Sequence, residues 1–218
     1  MRRPADYPLT IALINPINRR LVRSLHKAKV SPNLVTWVSF ILAIAASYSM
    51  FAHLTASAVW TAPAVLLLTF ISHQLDALDG DLARYSGCSS RYGAVLDPTL
   101  DRVREVLFIG AVALASPERE TVLWALAAIA GAQVYYYTVD VSIRRLLEVG
   151  VHDLKKHVVT AGDIGGTTVK FGLYEPFLYG IALAVVSGFA AEALVFFTGA
   201  FWLAWIGQMV KMYRASRP

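Results

Sequence analysis

Four carboxylates carry the chemistry this sequence can do: Asp76, Asp79, Asp97 and Asp101. They lie in two short strings, D-A-L-D-G-D-L-A-R from residue 76 and G-A-V-L-D-P-T-L-D from residue 93, with eight residues between them. Each string sits at the end of an apolar run, where charge is expensive. An Asp near a bilayer centre costs about 2.5–3.5 kcal/mol, so four of them require compensation. Hard oxygen ligands at this density suit Mg²⁺, Mn²⁺ or Ca²⁺, and two such cations would neutralise the four acids.

The spacing puts the groups on single helix faces. At about 100° per residue, Asp76, Asp79, Gly80 and Ala83 share an arc of roughly 100°. Gly93, Asp97 and Asp101 form a second stripe about 80° wide. Two facing helices would therefore bring the acids together. Gly80 and Gly93 have no Cβ, which lets a substrate or another backbone approach. Arg84, one turn past Gly80, can meet a phosphate with two parallel hydrogen bonds.

The elements that position these residues follow from hydropathy. The chain of 218 residues is 56% hydrophobic and only 16% charged, with a mean hydropathy of +0.52. Those values lie outside the ordinary soluble class and predict an all-α integral membrane protein. Six spans can be drawn, at about 34–54, 58–80, 94–115, 121–140, 171–189 and 191–211. The first motif string closes the second span and the other opens the third. Residues 1–33 form a juxtamembrane segment and 34–218 one six-helix domain, with a tight hairpin near Ala190, Ala191 and Glu192. Within the first segment, residues 7–29 set Leu9, Ile11, Ile14, Leu21 and Leu25 against Arg19, Arg20, Arg23, Lys27 and Lys29, as an interfacial helix would. Pro16 bends it or starts its helical part. Ser31-Pro32 reads as the start of the next helix.

Charge fixes an orientation. All 20 Lys and Arg residues except Arg119 fall at the termini or in connections on one side, so the positive-inside rule places both termini and the motif in the cytoplasm. The formal charge of +5 thus has a topological source. No basic-aromatic module is visible, and no nucleic-acid partner is expected. No signal peptide is evident. The single Cys88 excludes an internal disulfide.

The two strings together resemble the signature of the CDP-alcohol phosphotransferase family, D-x2-D-G-x2-A-R-x8-G-x3-D-x3-D, at every one of its eight fixed positions. The resemblance implies transfer of a substituted phosphate from a CDP-alcohol such as CDP-diacylglycerol, or an archaeal ether counterpart, to an alcohol, with release of CMP. It implies two divalent cations, Mg²⁺ or Mn²⁺, on Asp76, Asp79, Asp97 and Asp101, with Asp101 also the general base. Gly80, Ala83, Arg84 and Gly93 would line the CDP pocket. Family members often carry Pro-Asn-x-x-Thr at the first span, which adds Asn33 and Thr36; capping and helix-backbone bonding would equally explain those two. A homodimer in a prokaryotic plasma membrane is expected on the same ground. The run Y-G-A-V-L-D-P-T-L-D-R is similar to members that use inositol phosphate, with glycerol-3-phosphate the other favoured acceptor.

The remaining polar residues admit two readings each. Arg102, Arg144, Arg145, Lys155, Lys156 and Lys170 share one membrane face and suit a phosphorylated acceptor. The string Asp163–Lys170 resembles the phosphate loop of the ROK sugar kinases, but the two α/β lobes of that fold are missing, so a flexible connector is expected. His73 either supports a metal-bound carboxylate or pairs inside the bundle. Asp81 lies off the acidic face and should be solvated. Glu175 suits the interface, and Tyr135, Tyr136 and Tyr137 suit an aromatic belt. Two other functions use similar acids: an intramembrane prenyltransferase with Asp-rich motifs, and a divalent-metal transporter. The D-G-x-x-A-R element argues against the first, and acids placed toward one membrane face argue against the second.

Overall fold

A computed structural model describes residues 8–56, 58–139, 161–164, 167–170 and 173–215. The described chain is helical apart from one short hairpin. A π-helical turn, Thr10–Ile14, leads into α1, Asn15–Lys27. Then come α2, Pro32–Ala56; α3, Thr61–Ser86; α4, Gly93–Ala115; and α5, Arg119–Tyr137. The chain ends with α6, Tyr174–Ser187, and α7, Ala190–Ala215. Among the described residues, three helices are long and apolar enough to cross a membrane: α2, α3 and α7 over Ala190–Arg214. The third drawn span, α4, carries Asp97, Asp101, Arg102, Arg104 and Glu105, and these charges lower its apolar character.

Local chemistry sets the helix ends. Ser31 caps α2: its Oγ accepts the Leu34 amide at 3.2 Å, and Pro32 occupies the first turn, where no donor is needed. The helix α3 continues six residues beyond the expected end of its span, through Arg84 to Ser86, so the whole first motif string is helical. The α6–α7 hairpin turns at Gly188 rather than at Ala190. Gly188 holds φ 80°, a left-handed conformation open to glycine, and its amide returns to Val185.

The connector between α5 and α6 departs from the expected flexible loop. Strands β1, Ala161–Ile164, and β2, Thr167–Lys170, pair antiparallel, with Ala161 opposite Lys170 and Ile164 opposite Thr167. The signal was present: two glycines precede the Thr-Thr-Val run, the composition of a tight hairpin. Arg144, Arg145, Lys155 and Lys156 lie outside the described residues.

Small residues let the bundle close. Ser39, Ala43, Ala46 and Met50 of α2 are buried, and Ser39 and Ser72 of α3 each donate a hydroxyl to the other's carbonyl, at 2.9 and 3.0 Å. Such contacts substitute for the hydrophobic drive that is missing between helices in lipid. The main core joins Phe108, Ile109 and Val112 of α4 to Phe177 and Ile181 of α6 and to Leu194 and Phe201 of α7. Tyr135 and Tyr136 belong to this core, leaving only Tyr137 exposed as a belt residue would be.

The N-terminal helix packs on the bundle. Thr10, Ile14, Asn18 and Val22, each four apart, are buried, and Val22 meets Leu78 and Leu82 of α3. Leu13, Ile17 and Leu21 form a separate exposed apolar row. Glu175, expected at an interface, is buried instead: its carboxylate accepts the Leu9 amide at 3.1 Å, the Thr10 amide at 2.9 Å and the Thr10 hydroxyl. Amides at a helix start lack intrahelical partners, and an anion is favourable there.

Candidate active site

The site forms where the end of α3 meets the start of α4 and the mouth of α2. Gly87 ends α3, and Ser90 opens α4 by accepting the Gly93 amide on its Oγ at 2.8 Å. The short loop between them therefore reverses the chain and faces the two motif strings toward each other. Ligand oxygens of Asp76, Asp97 and Asp101 lie within 4.8 Å of one another. Asp79 stands outside this trio but is buried beside it, flanked by Thr36 and the Gly80 amide.

A metal fits these residues on two grounds. Three carboxylates converge, half-buried, on a volume the size of one coordination sphere. Asp79 Oδ2 is buried with no hydrogen-bond partner among the described residues, and an unsatisfied carboxylate oxygen is costly unless a cation or substrate meets it.

One cation is already present, and the sequence reading did not single it out. Arg104 is 1% exposed. Its Nη2 donates to Asp76 Oδ1 at 3.0 Å and to Ser39 Oγ at 2.9 Å. Its Nη1 donates to Asp101 Oδ1 at 3.1 Å and to the Tyr174 hydroxyl at 2.5 Å. The Tyr174 hydroxyl in turn reaches Asp101 Oδ1 at 2.9 Å and Asp76 Oδ2 at 3.4 Å. One guanidinium thus joins α2, α3, α4 and α6. The sequence did contain a clue: Arg104 follows Asp101 by three on a helix, inside an apolar run where a lone charge needs a partner.

The expected nucleotide residues gather at the same end, with one qualification. A Cβ on Gly93 would lie 2.9 Å from Asn33 Oδ1, so the Asn33 side chain packs directly on the start of α4 and a larger residue there would push it aside. Thr36 donates to the Pro32 carbonyl at 3.2 Å and lies beside Asp79, so it both bonds the helix backbone and borders the site. Ala83 is half-buried on the same helix as Gly80. Arg84 folds back across Gly80, 3.3 Å from where a Cβ would be, and pairs with Asp81 at 2.9 Å. Asp81 is accordingly not merely solvated: it also accepts from Asn18 Nδ2 of α1 at 3.1 Å.

His73 follows the second of its two readings, and Arg102 departs from the one offered for it. His73 pairs within the bundle, its Nδ1 2.8 Å from the Tyr179 hydroxyl. Arg102, offered for an acceptor phosphate, pairs with Glu105 at 3.0 Å and lies 3.4 Å over the Tyr136 ring.

Residues 29–213 match the family model of the CDP-alcohol phosphatidyltransferases. A phosphatidylinositol phosphate synthase of Cutibacterium acnes is 36% identical over 114 residues, 51% of this chain and 50% of that protein. A bifunctional IPC transferase and DIPP synthase of Archaeoglobus fulgidus is 34% identical over 125 residues, 56% of this chain and 24% of that one. The chain thus spans half or less of the length of these curated relatives. In fold it is similar to the phosphatidylinositol phosphate synthase of Mycobacterium tuberculosis with CDP-DAG bound, at TM-score 0.66 and 19% identity over 93% of this chain and 98% of that one. The same enzyme with manganese and citrate gives TM-score 0.66 and 19% identity over 92% of each chain. With the family model running from the mouth of α2 through most of α7 and enclosing every acid of the cluster, this chain belongs to the CDP-alcohol phosphatidyltransferase family.

Proposed function

We propose that the protein transfers a phosphatidyl-type group from a CDP-linked lipid alcohol to a polar alcohol and releases CMP. The observation that carries the reading is the convergence of Asp76, Asp97 and Asp101 on one volume, with the buried Asp79 oxygen beside it. Family membership supports the reaction class, and the relatives named phosphatidylinositol phosphate synthase favour inositol phosphate as acceptor over glycerol-3-phosphate.

In this reading Asp76, Asp79 and Asp97 hold two Mg²⁺ or Mn²⁺ ions, with Asp101 able to reach one of them. Bound there, the ions supply positive charge to the donor pyrophosphate and to the departing CMP. The side chains do the rest. Asn33, Thr36, Gly80, Ala83 and Gly93 border the nucleotide end, and Arg84 can swing from Asp81 to a phosphate, since its side chain is 44% exposed. Arg104 and Tyr174 fix Asp101 through Oδ1, and Oδ2 is the atom we assign to the proton of the acceptor hydroxyl. The acceptor oxygen bonds to the phosphorus that carries the lipid alcohol. The bond from that phosphorus to the bridging oxygen breaks, and CMP leaves with that oxygen.

A cytoplasmic site suits a donor whose nucleotide is soluble and whose tail is not. We assign six spans, α2 to α7, with both termini cytoplasmic, a homodimeric assembly, and α1 lying at the interface with Leu13, Ile17 and Leu21 toward lipid. The test is CMP release by purified protein with Mg²⁺, CDP-diacylglycerol and a panel of alcohols, scored by product mass. A phosphatidylinositol phosphate product is expected. No CMP with any alcohol, alongside consumption of an isoprenoid diphosphate or metal flux into liposomes, would overturn the proposal.

A further inference from the structure

We infer that Arg104 is a built-in cation of the acidic cluster, and that it limits the resting site to one firmly held divalent ion, the second entering with the donor's pyrophosphate. The inference rests on the metal-dependent reading above and extends it to the order of binding.

Charge counting gives the reason. A carboxylate ligates a divalent ion in its ionised form, so Asp76, Asp79, Asp97 and Asp101 bring four negative charges to a filled site, and Arg104, ion-paired to two of them, returns one positive charge. The other nearby guanidinia have their own counter-ions, Arg84 on Asp81 and Arg102 on Glu105, so they leave the sum unchanged. Three negative charges remain. One divalent ion brings the cluster to minus one. A second would leave plus one in a setting where excess charge is poorly solvated. The donor's pyrophosphate carries two negative charges and makes the second ion favourable again. Arg104 cannot step aside easily. It is 1% exposed and its four hydrogen bonds come from four helices, so leaving would strand a buried cation. Arg104 therefore acts as a positioning residue and counter-charge, not as a group that touches the reacting atoms.

The experiment counts Mn²⁺ by the free-ion EPR signal, using the full chain in detergent, with and without CDP as the nucleotide probe. Wild type should hold one Mn²⁺ tightly without CDP and two with it. Arg104→Met should hold two without CDP, its second site tightened at least tenfold. Arg104→Lys, which keeps the charge, should retain the wild-type count. The proposal fails if wild type takes two ions equally well without CDP, or if Arg104→Met keeps the wild-type count. Should Arg104→Met not fold, the wild-type titration and Arg104→Lys decide on the same criterion. No Mn²⁺ binding at all by folded wild type would sink the metal-dependent reading itself, a result distinct from either failure.

Discussion

Asp76 and Asp101 share one guanidinium yet differ in the work assigned to them, and substitution separates the two roles. Asp101→Asn removes the proton acceptor while keeping its shape and its bonds to Arg104 and Tyr174. Turnover should fall by about 10²–10⁴-fold, the usual worth of a general base, with CDP-donor affinity nearly unchanged. Asp76→Asn should instead weaken Mn²⁺ binding and lower the melting temperature, because Arg104 loses one of its two ionised partners. Equal loss of metal affinity in both variants, measured by titration, would contradict the division. These acids were legible from spacing alone, since helical phase determines which side chains can meet. Arg104, Ser39 and Tyr174 were not, because their roles depend on which helices become neighbours. Arg84 was legible in type but not in partner: a local carboxylate, Asp81, competes for it in the absence of phosphate.

At the scale of elements, the start of the N-terminal segment is anchored by one carboxylate from far along the chain, while α1 itself packs on α3 through Val22 and Asn18. Glu175 of α6 receives the Leu9 and Thr10 amides and the Thr10 hydroxyl. Glu175→Ala leaves those donors without their acceptor, a loss of about 1–3 kcal/mol per buried group. Hydrogen exchange over residues 8–14 should quicken about tenfold or more, while the α3–α4 junction stays protected. Unchanged exchange at Leu9 and Thr10 would show that the anchor lies elsewhere. Hydropathy located most helices to within a few residues, since apolar runs and caps are local signals. It drew the span only to residue 80, although the motif's helical phase ran on to Ala83, because Asp81 and Arg84 look like loop residues when the Asn18 partner on α1 is unknown. The β1–β2 hairpin was missed for a different reason: β-branched residues beside glycines read as a connector in a chain otherwise helical.

For the whole molecule, the one thiol reports orientation. Cys88 is exposed in the α3–α4 loop, on the same side as the acidic cluster. In sealed inside-out vesicles it should react fully with a membrane-impermeant maleimide. In right-side-out vesicles it should react only after permeabilisation. The reverse pattern would invert the assigned topology. The Lys and Arg distribution is what predicts this orientation, because that bias governs membrane insertion.

The guanidinium brace at the junction of α2, α3, α4 and α6 also bears on how the protein tolerates chelators. Many metal sites collapse when stripped, because bare carboxylates repel one another. Here Arg104 ties Asp76 to Asp101 through its own positive charge. EDTA should therefore stop catalysis without unfolding the bundle, shifting the melting temperature by only a few degrees. Added Mg²⁺ should restore full activity within the mixing time, with no lag for refolding.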